Sequence, residues 1–390
     1  MKPTGMPVYR LTEDCIWNSF RSSGKRHLIL TGDRGSGKST LLSGLLRKLS
    51  SSGPVPGVTT WAEPGQAVYL RENISEETVQ VGRFDPLLPG RENRMRPLPE
   101  GFQEAGVRML GRLAEQEGEW ASIDEIGYLE SGCADYCDAV RRLMERKRLA
   151  AAVRRQDLPF LTELCGRPDV FLVDLDVPFG KLGCVIMASG LGKRFGGNKL
   201  MAELKGKPLI QYALDATEGI FERRVVVTRH KEVEELCRRQ GVPVVFHSLP
   251  YRSDTVRLGL ESLGAGTDAG KSGTETEIKI APPAENGLEG CMFCPGDQPM
   301  LGRETVASLA LCAASGKNTI WRAAWNGQEG SPVLFPAWVF PELLALPEGK
   351  GGGFAAGKHR ELVRTVSARS QWELKDVDCL EDLELLAEKC

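Results

Sequence analysis

The stretch Gly32-Asp-Arg-Gly-Ser-Gly-Lys38-Ser39-Thr40 follows the apolar run His27-Leu-Ile-Leu-Thr31 and leads into Leu41-Leu-Ser-Gly-Leu-Leu-Arg-Lys48. Strand, glycine turn and helix follow one another, with the G-x-x-x-x-G-K-[ST] spacing complete. Gly32, Gly35 and Gly37 let successive backbone N–H groups curl into a cradle for phosphate oxygens. The helix that starts there adds the positive end of its dipole. Lys38 is expected to reach the β- and γ-phosphates, and the Ser39 hydroxyl, beside Thr40, to hold Mg²⁺. The pattern predicts a nucleoside triphosphate site on an α/β sheet.

Further along, Val185-Ile-Met-Ala-Ser-Gly190-Leu-Gly-Lys-Arg194-Phe-Gly-Gly-Asn-Lys199 also leaves a strand and heads for a helix, without P-loop spacing. Its glycines can wrap phosphates while Arg194 and Lys199 neutralise their charge. Two nucleotide-handling domains are therefore expected, 1–178 and 179–390, hinged near Asp176-Val-Pro-Phe-Gly180. A chain of 390 residues is long enough for both.

The balance of 50 basic against 52 acidic residues argues against a general nucleic-acid partner. No apolar run approaches membrane-spanning length and no signal-peptide core is present, so a cytoplasmic protein is expected. Its 11 cysteines then read as reduced thiols. Cys133/Cys137 and Cys291/Cys294 have ligand-like spacings but lack a partner pair, and small buried side chains are the better reading.

In the first half, Val58-Thr-Thr-Trp61, Ala67-Val-Tyr-Leu70 and Thr78-Val-Gln-Val81 read as strands, residues 85–99 as a loop, and residues 101–116 as a helix. Residues 1–24 read as a short lead-in. Trp120-Ala-Ser-Ile-Asp124-Glu125 then ends a strand in two carboxylates. Asp124 is expected to assist Mg²⁺ and Glu125 to polarise the attacking water. Together the 32–40 stretch, Gly57-Val-Thr-Thr60, Ser122-Ile-Asp-Glu-Ile-Gly127 and Leu149-Ala-Ala-Ala-Val-Arg-Arg155 resemble the cancer-related and thermophile nucleoside-triphosphatase family. The resemblance covers roughly residues 25–175. It implies a P-loop enzyme hydrolysing ATP, GTP or other NTPs, with Arg154 and Arg155 either near the nucleotide or simply exposed. Where that family has an Asn-Arg pair, this chain reads Phe171-Leu-Val-Asp-Leu-Asp-Val-Pro178.

In the second half, strands at 224–228, 243–246 and 291–294 alternate with helices at 208–216 and 230–240. That alternation predicts a mainly parallel, Rossmann-like sheet with its ligand at the carboxyl ends of the strands. Asp297, just past one such end, is placed to hold Mg²⁺. Asp378 is either a second metal ligand or the cap of a helix over 380–389. Residues 264–289 include a Gly/Ser/Thr-rich segment expected as a flexible insertion.

This half resembles the MobA/MocA-type nucleotidyltransferases, whose sheet is glycosyltransferase-A-like. The matching residues are Ala188-Ser189-Gly190-x-x-x-Arg194-Phe-Gly-Gly-Asn-Lys199, Gly206-Lys-Pro-Leu209, Gly296-Asp-Gln-Pro299, Gly330-Ser-Pro-Val-Leu-Phe335 and Asp376-Val-Asp378. Guanylyl-transferring relatives carry two glycines where Ser189-Gly190 stands, and Arg252-x-x-Thr255-Val resembles a cytidine-reading loop. The resemblance therefore implies Mg·CTP and a molybdopterin-type acceptor, with an apo-molybdoenzyme as a further partner. Ser331 replaces a usual histidine, and Glu348-Gly-Lys-Gly-Gly352 replaces Gly-Asp-x-Gly. Transfer to another phosphorylated small molecule, or a nucleotide-gated cofactor carrier, are the competing readings.

Overall fold

A computed structural model describes residues 9–49, 53–88, 94–264 and 287–389. The expected insertion lies outside these residues from 265 to 286, as do residues 50–52 of a predicted turn. The chain divides into one unit over Ser23–Pro178 and a second from Phe179 onward that also includes the segment up to Ser22.

The first unit holds β1 (His27–Gly32), β2 (Gly57–Glu63), β3 (Ala67–Glu72), β4 (Thr78–Phe84), β5 (Met95–Pro97), β6 (Trp120–Ile126), β7 (Arg148–Arg154) and β8 (Val170–Asp174). They form one sheet in the order β5-β4-β3-β2-β6-β7-β1-β8. From β2 through β8 the neighbours are parallel, and β3, β4 and β5 extend the sheet as an antiparallel edge. β1 is buried at every residue, which is why its sequence is a continuous apolar run rather than an alternating one. One strand, β7, separates β1 from the carboxylate-bearing β6. The residues expected as a loop before position 99 therefore contain a short strand, β5, because they hydrogen-bond to β4.

The second unit holds β9 (Leu182–Ala188), the small hairpin β10 (Glu203–Leu204) and β11 (Lys207–Pro208), β12 (Arg223–Thr228), β13 (Val244–Phe246), β14 (Gly290–Pro295), β15 (Ile320–Trp325), β16 (Gln328–Pro336) and β17 (Val363–Ser367). Its main sheet runs β13-β12-β9-β14-β16-β15-β17. β13, β12, β9 and β14 are mutually parallel, and β16 is inserted antiparallel between β14 and β15. Because β9 and β14 are adjacent and parallel, the Ser189 loop and Asp297 leave the sheet side by side. Both units are α/β sheets of mostly parallel strands, as the alternation of patterns predicts.

One expectation needs correction. Helix α1 (Glu13–Ser23) is not a lead-in to the first sheet but part of the second unit. Cys15, Ile16, Ser19 and Phe20 form its buried stripe. Ser19 Oγ donates to the Ser308 carbonyl at 3.2 Å, and Thr12 Oγ1 donates to Glu304 Oε1 at 2.6 Å. Its partners lie almost 300 residues away in sequence, where no local pattern can reveal them.

Among the described residues no helix is long and apolar enough to cross a membrane. Cys133, Cys137, Cys291 and Cys294 are free and buried. Burial pushes the Cys137 thiol up to about 11 and Cys294 up to about 12, so both stay protonated small side chains.

Candidate active site

In the first unit, the turn after β1 enters helix α2 (Lys38–Leu49). Gly35 and Gly37 take φ of +81° and +92°, conformations that a side chain would strain. The buried Lys38 ammonium lies across the turn, donating to the Gly32 and Asp33 carbonyls at 2.9 Å each. Ser39 and Thr40 are exposed at the helix start, and Ser39 Oγ donates to Asp124 Oδ1 at 2.9 Å. Burial raises the Asp124 carboxyl's pKa, an effect the Ser39 hydrogen bond opposes. Glu125 is held by Arg154, with Nε 2.8 Å from Oε1 and Nη2 3.1 Å from Oε2. Arg155 turns to Asp174 and Asp176 instead, and Asp176 Oδ2 accepts the Asp33 N–H at 2.7 Å. The motif departure near 171–178 thus supplies one acid, Asp176, that anchors the P-loop, while Asp174 pairs with Arg155 and accepts the Asp176 N–H at 3.0 Å. The structure brings Ser39 onto Asp124 with Lys38 nearby, whereas Glu125 beside them is taken by Arg154.

In the second unit, a cavity of about 1,040 Å³ opens where β9 and β14 end. Ser189, Gly190, Arg194, Lys199, Arg252, Thr255, Asp297 and Asp378 all line it, while Ala188 is buried in β9 beneath the loop. Lys199 Nζ stands 2.6 Å from Asp297 Oδ2 and 3.2 Å from Asp378 Oδ1, and donates to the Val377 carbonyl at 2.7 Å. Burial alone would lower the Lys199 pKa, but the two carboxylates outweigh it and raise it. Arg194 is exposed and pairs with Asp378 at 3.2 Å. The capping alternative for Asp378 falls to Asp382, whose Oδ2 accepts the Asp378 and Cys379 N–H groups at 2.9 and 3.2 Å. The Asp378 side chain is left for the cavity.

Two histidines escape the sequence reading, and two stretches that it names gain a place in the site. His247 Nε2 lies 2.8 Å from Ser189 Oγ, and His230 Nε2 lies 2.8 Å from the Gly190 carbonyl, so two histidines brace the loop. Asp376 lines the same cavity, accepts from Gln298 Nε2 at 2.8 Å, and has its pKa raised by burial and then by Asp297. The 349–353 glycine run packs against its neighbours: a Cβ on Gly351 would sit 3.0 Å from Arg252 Nε, and one on Gly352 would sit 2.9 Å from the Phe335 ring. Ser331 also faces the cavity. Lone histidines carry no spacing signal, whereas Asp376 and the 348–352 stretch enter the sequence reading only through the resemblance, with no role attached.

Among the described residues no cluster of three or more His, Cys, Asp or Glu forms a ready-made metal centre. Mg²⁺ suits both sites all the same, since it is typically held by one or two carboxylates plus substrate phosphates. The lysine cation already seated between Asp297 and Asp378 marks a point where positive charge is favoured. Ser39 with Asp124 offers the matching hard-oxygen pair in the first unit.

Each unit is thus a nucleotide-handling α/β domain with its phosphate loop at the carboxyl end of the sheet. Residues 27–178 match the family described as NTPase, and residues 184–366 match the MobA-like NTP transferase domain. The chain is an NTPase domain fused to a MobA-like NTP transferase domain. It is 29% identical to nucleoside-triphosphatase THEP1 of Thermotoga sp. over 38% of this chain and 86% of that one. It is 27% identical to the 2-C-methyl-D-erythritol 4-phosphate cytidylyltransferase of Rhodopirellula baltica over 37% of this chain and 63% of the relative. A probable molybdenum cofactor guanylyltransferase of Pyrococcus horikoshii is 36% identical over 18% of this chain and 36% of its own length. The chain thus spans less than two thirds of these two transferase relatives.

Proposed function

We propose that the second unit transfers CMP from CTP to the terminal phosphate of a molybdopterin-type acceptor, and that the first hydrolyses ATP or GTP. The observation that carries the transferase reading is Lys199 held between Asp297 and Asp378 at the mouth of the Ser189 loop. In-line attack by the acceptor phosphate on the α-phosphorus expels pyrophosphate and needs no protein nucleophile. Catalysis is then positioning and charge neutralisation. The Ser189 loop orients the triphosphate through its backbone N–H groups. Arg194 and Lys199 offset the charge that develops on the leaving pyrophosphate. Asp297 and Asp378 would hold Mg²⁺, which when bound draws charge from the phosphate oxygens.

CTP is favoured because a side chain, Ser189, stands where guanylyl-transferring relatives are expected to carry glycine, and Arg252 and Thr255 face the same cavity. The named relatives include both a cytidylyl- and a guanylyltransferase, so the choice of base is a direct test. In the first unit, Lys38 and the P-loop would hold the phosphates, Ser39 and Asp124 the Mg²⁺, and Glu125 would orient the water. The reading places the protein among cytoplasmic enzymes of cofactor maturation, with an apo-molybdoenzyme as recipient. Incubation with molybdopterin and either CTP or GTP, followed by pyrophosphate release and product mass, tests it. Release with CTP and a mass gain of one CMP is expected; release with GTP alone would reassign the base.

A further inference from the structure

The first unit contains a cavity of about 470 Å³ that shares Glu125 with the proposed hydrolysis site and extends well beyond it. It is lined by Arg34 from the P-loop turn, Trp61 from β2, Glu125 from β6, Tyr128 and Glu130 beyond it, and Arg154 from β7. In the strand order β2-β6-β7-β1, it spans the ends of β2, β6 and β7, with Arg34 reaching it from the P-loop turn. A triphosphate seated on the P-loop presents its terminal phosphate toward Ser39 and Asp124. The cavity's Glu125 is the neighbour of Asp124 on β6, next to that phosphate position.

Its size and chemistry do not match a water site. One water needs about 30 Å³, whereas cavities of roughly 300–1,000 Å³ take small organic ligands. Trp61 stacks on Tyr69 at 5.4 Å and 26°, which fixes the ring, yet it remains 38% exposed. Glu130, buried at the cavity floor, accepts the Gly127 N–H at 2.8 Å and the Thr60 hydroxyl at 3.2 Å, so it shapes the floor and is not a free charge. The aromatic wall suits a planar ring, and Arg34 with Arg154 suits a phosphate.

We propose that this cavity is the acceptor site of a phosphoryl transfer, binding a nucleoside monophosphate with its base against Trp61 and its phosphate between Arg34 and Arg154. This rests on the P-loop being the NTP site. An oxygen of the acceptor phosphate forms a bond to the γ-phosphorus as the bond from that phosphorus to the β–γ bridging oxygen breaks. The electron pair leaves with the donor diphosphate. The acceptor phosphate attacks as a dianion, so no proton moves and two nucleoside diphosphates result. Arg154, shared with Glu125 in this structure, would be the residue common to hydrolysis and transfer.

The test offers the full-length protein γ-labelled ATP with AMP, GMP, CMP or UMP in turn, and follows label in inorganic phosphate and in nucleoside diphosphate. Labelled diphosphate from at least one acceptor, lost in Lys38→Ala, is expected. Trp61→Ala should raise the KM for that acceptor about tenfold, and Trp61→Phe should restore most of it, since base–aromatic stacking is worth about 1–3 kcal/mol. Label in inorganic phosphate alone, with all four acceptors, overturns the acceptor site while leaving the hydrolysis reading intact. Labelled diphosphate without inorganic phosphate supports the site and removes hydrolysis as the unit's activity. Label in neither product, or diphosphate that persists in Lys38→Ala, also overturns it.

Discussion

Lys199 Nζ, buried, lies 2.6 Å from the half-buried Asp297 Oδ2, a pairing that joins the end of the glycine loop to the end of β14. The pair ties the loop to the strand end, and in the proposed reaction Asp297 would also be a ligand for an incoming cation. Asp297→Asn keeps the size but removes the charge. Loss of one well-placed electrostatic contact typically costs about 10²–10³ in rate. Nucleotidyl transfer should fall by that factor with a smaller change in the KM for CTP. A normal rate in a folded variant would remove Asp297 from the transfer site.

The two phosphate loops belong to separate sheets, so their activities should separate by mutation. Lys38→Ala should abolish NTP hydrolysis and leave nucleotidyl transfer largely intact. Glu125→Gln should still bind NTP but turn it over about 10²–10⁴-fold more slowly, the usual worth of a positioned general base. Equal loss of transfer in folded Lys38→Ala would mean that the two halves act as one site.

How much of this was legible in the sequence depended on distance along the chain. The P-loop was readable because all of its parts fall within nine consecutive residues. Asp124 and Glu125 were readable at the end of a strand once that loop was known. Lys199 and Asp378 are 179 residues apart, and only the resemblance joined them. His247 and His230 had no spacing to betray them, and Asp376 entered only within the Asp376-Val-Asp378 match. The amphipathic stripe of α1 says that the helix is packed but not on what, and the packing partner came from the far end of the chain.

That misreading alters the expected result of cutting the chain between Asp176 and Gly183. A fragment of residues 23–178 carries its own core and should fold and hydrolyse NTP alone. A fragment of 179–390 lacks α1 and exposes the surface that Ile16 and Phe20 cover, each worth about 1.5–3 kcal/mol when buried. It should melt well below the intact unit or aggregate. Fusing residues 9–22 back onto that fragment should raise its melting temperature, and no change on fusion would show that α1 contributes nothing.

His27 is fully buried in β1, where its Nδ1 accepts the Leu149 N–H at 3.0 Å. Burial pushes its pKa down to about 4, although Asp169 at 3.4 Å pulls the other way. The unfolded chain, with a histidine pKa of about 6.5, binds the proton more readily than the folded one. Stability of the first unit should therefore fall as pH drops from 6.5 to 4, by up to about 3 kcal/mol from this group. Urea midpoints across that range measure it. His27→Asn, which can still accept the Leu149 N–H, should flatten the slope, and an unchanged slope would place the titration elsewhere.

Base choice in the second unit should depend on how Ser189 is held. Leu249 N–H donates to His247 Nδ1 at 3.2 Å, so the neutral ring carries its proton on Nε2 and donates to Ser189 Oγ at 2.8 Å. Ser189 O–H in turn donates to the Val227 carbonyl at 3.0 Å. The hydroxyl is fully engaged, which holds the serine side chain fixed at the cavity edge. Ser189→Gly removes both the bulk and the anchor, and should lower the preference for CTP over GTP. His247→Ala removes only the anchor. Loss of one hydrogen bond, worth about 0.5–1.5 kcal/mol, should raise the KM for CTP roughly two- to tenfold with base preference kept. Burial lowers the His247 pKa, so the brace should persist below the ordinary histidine range. Once the ring is protonated, both nitrogens carry hydrogens and Leu249 loses its acceptor. Transfer by the wild type should therefore decline on the acid side of that range, and the decline should vanish in His247→Ala. If Ser189→Gly leaves the ratio of kcat/KM for CTP and GTP unchanged, Ser189 does not set the base, and Arg252 and Thr255 are the residues to change next.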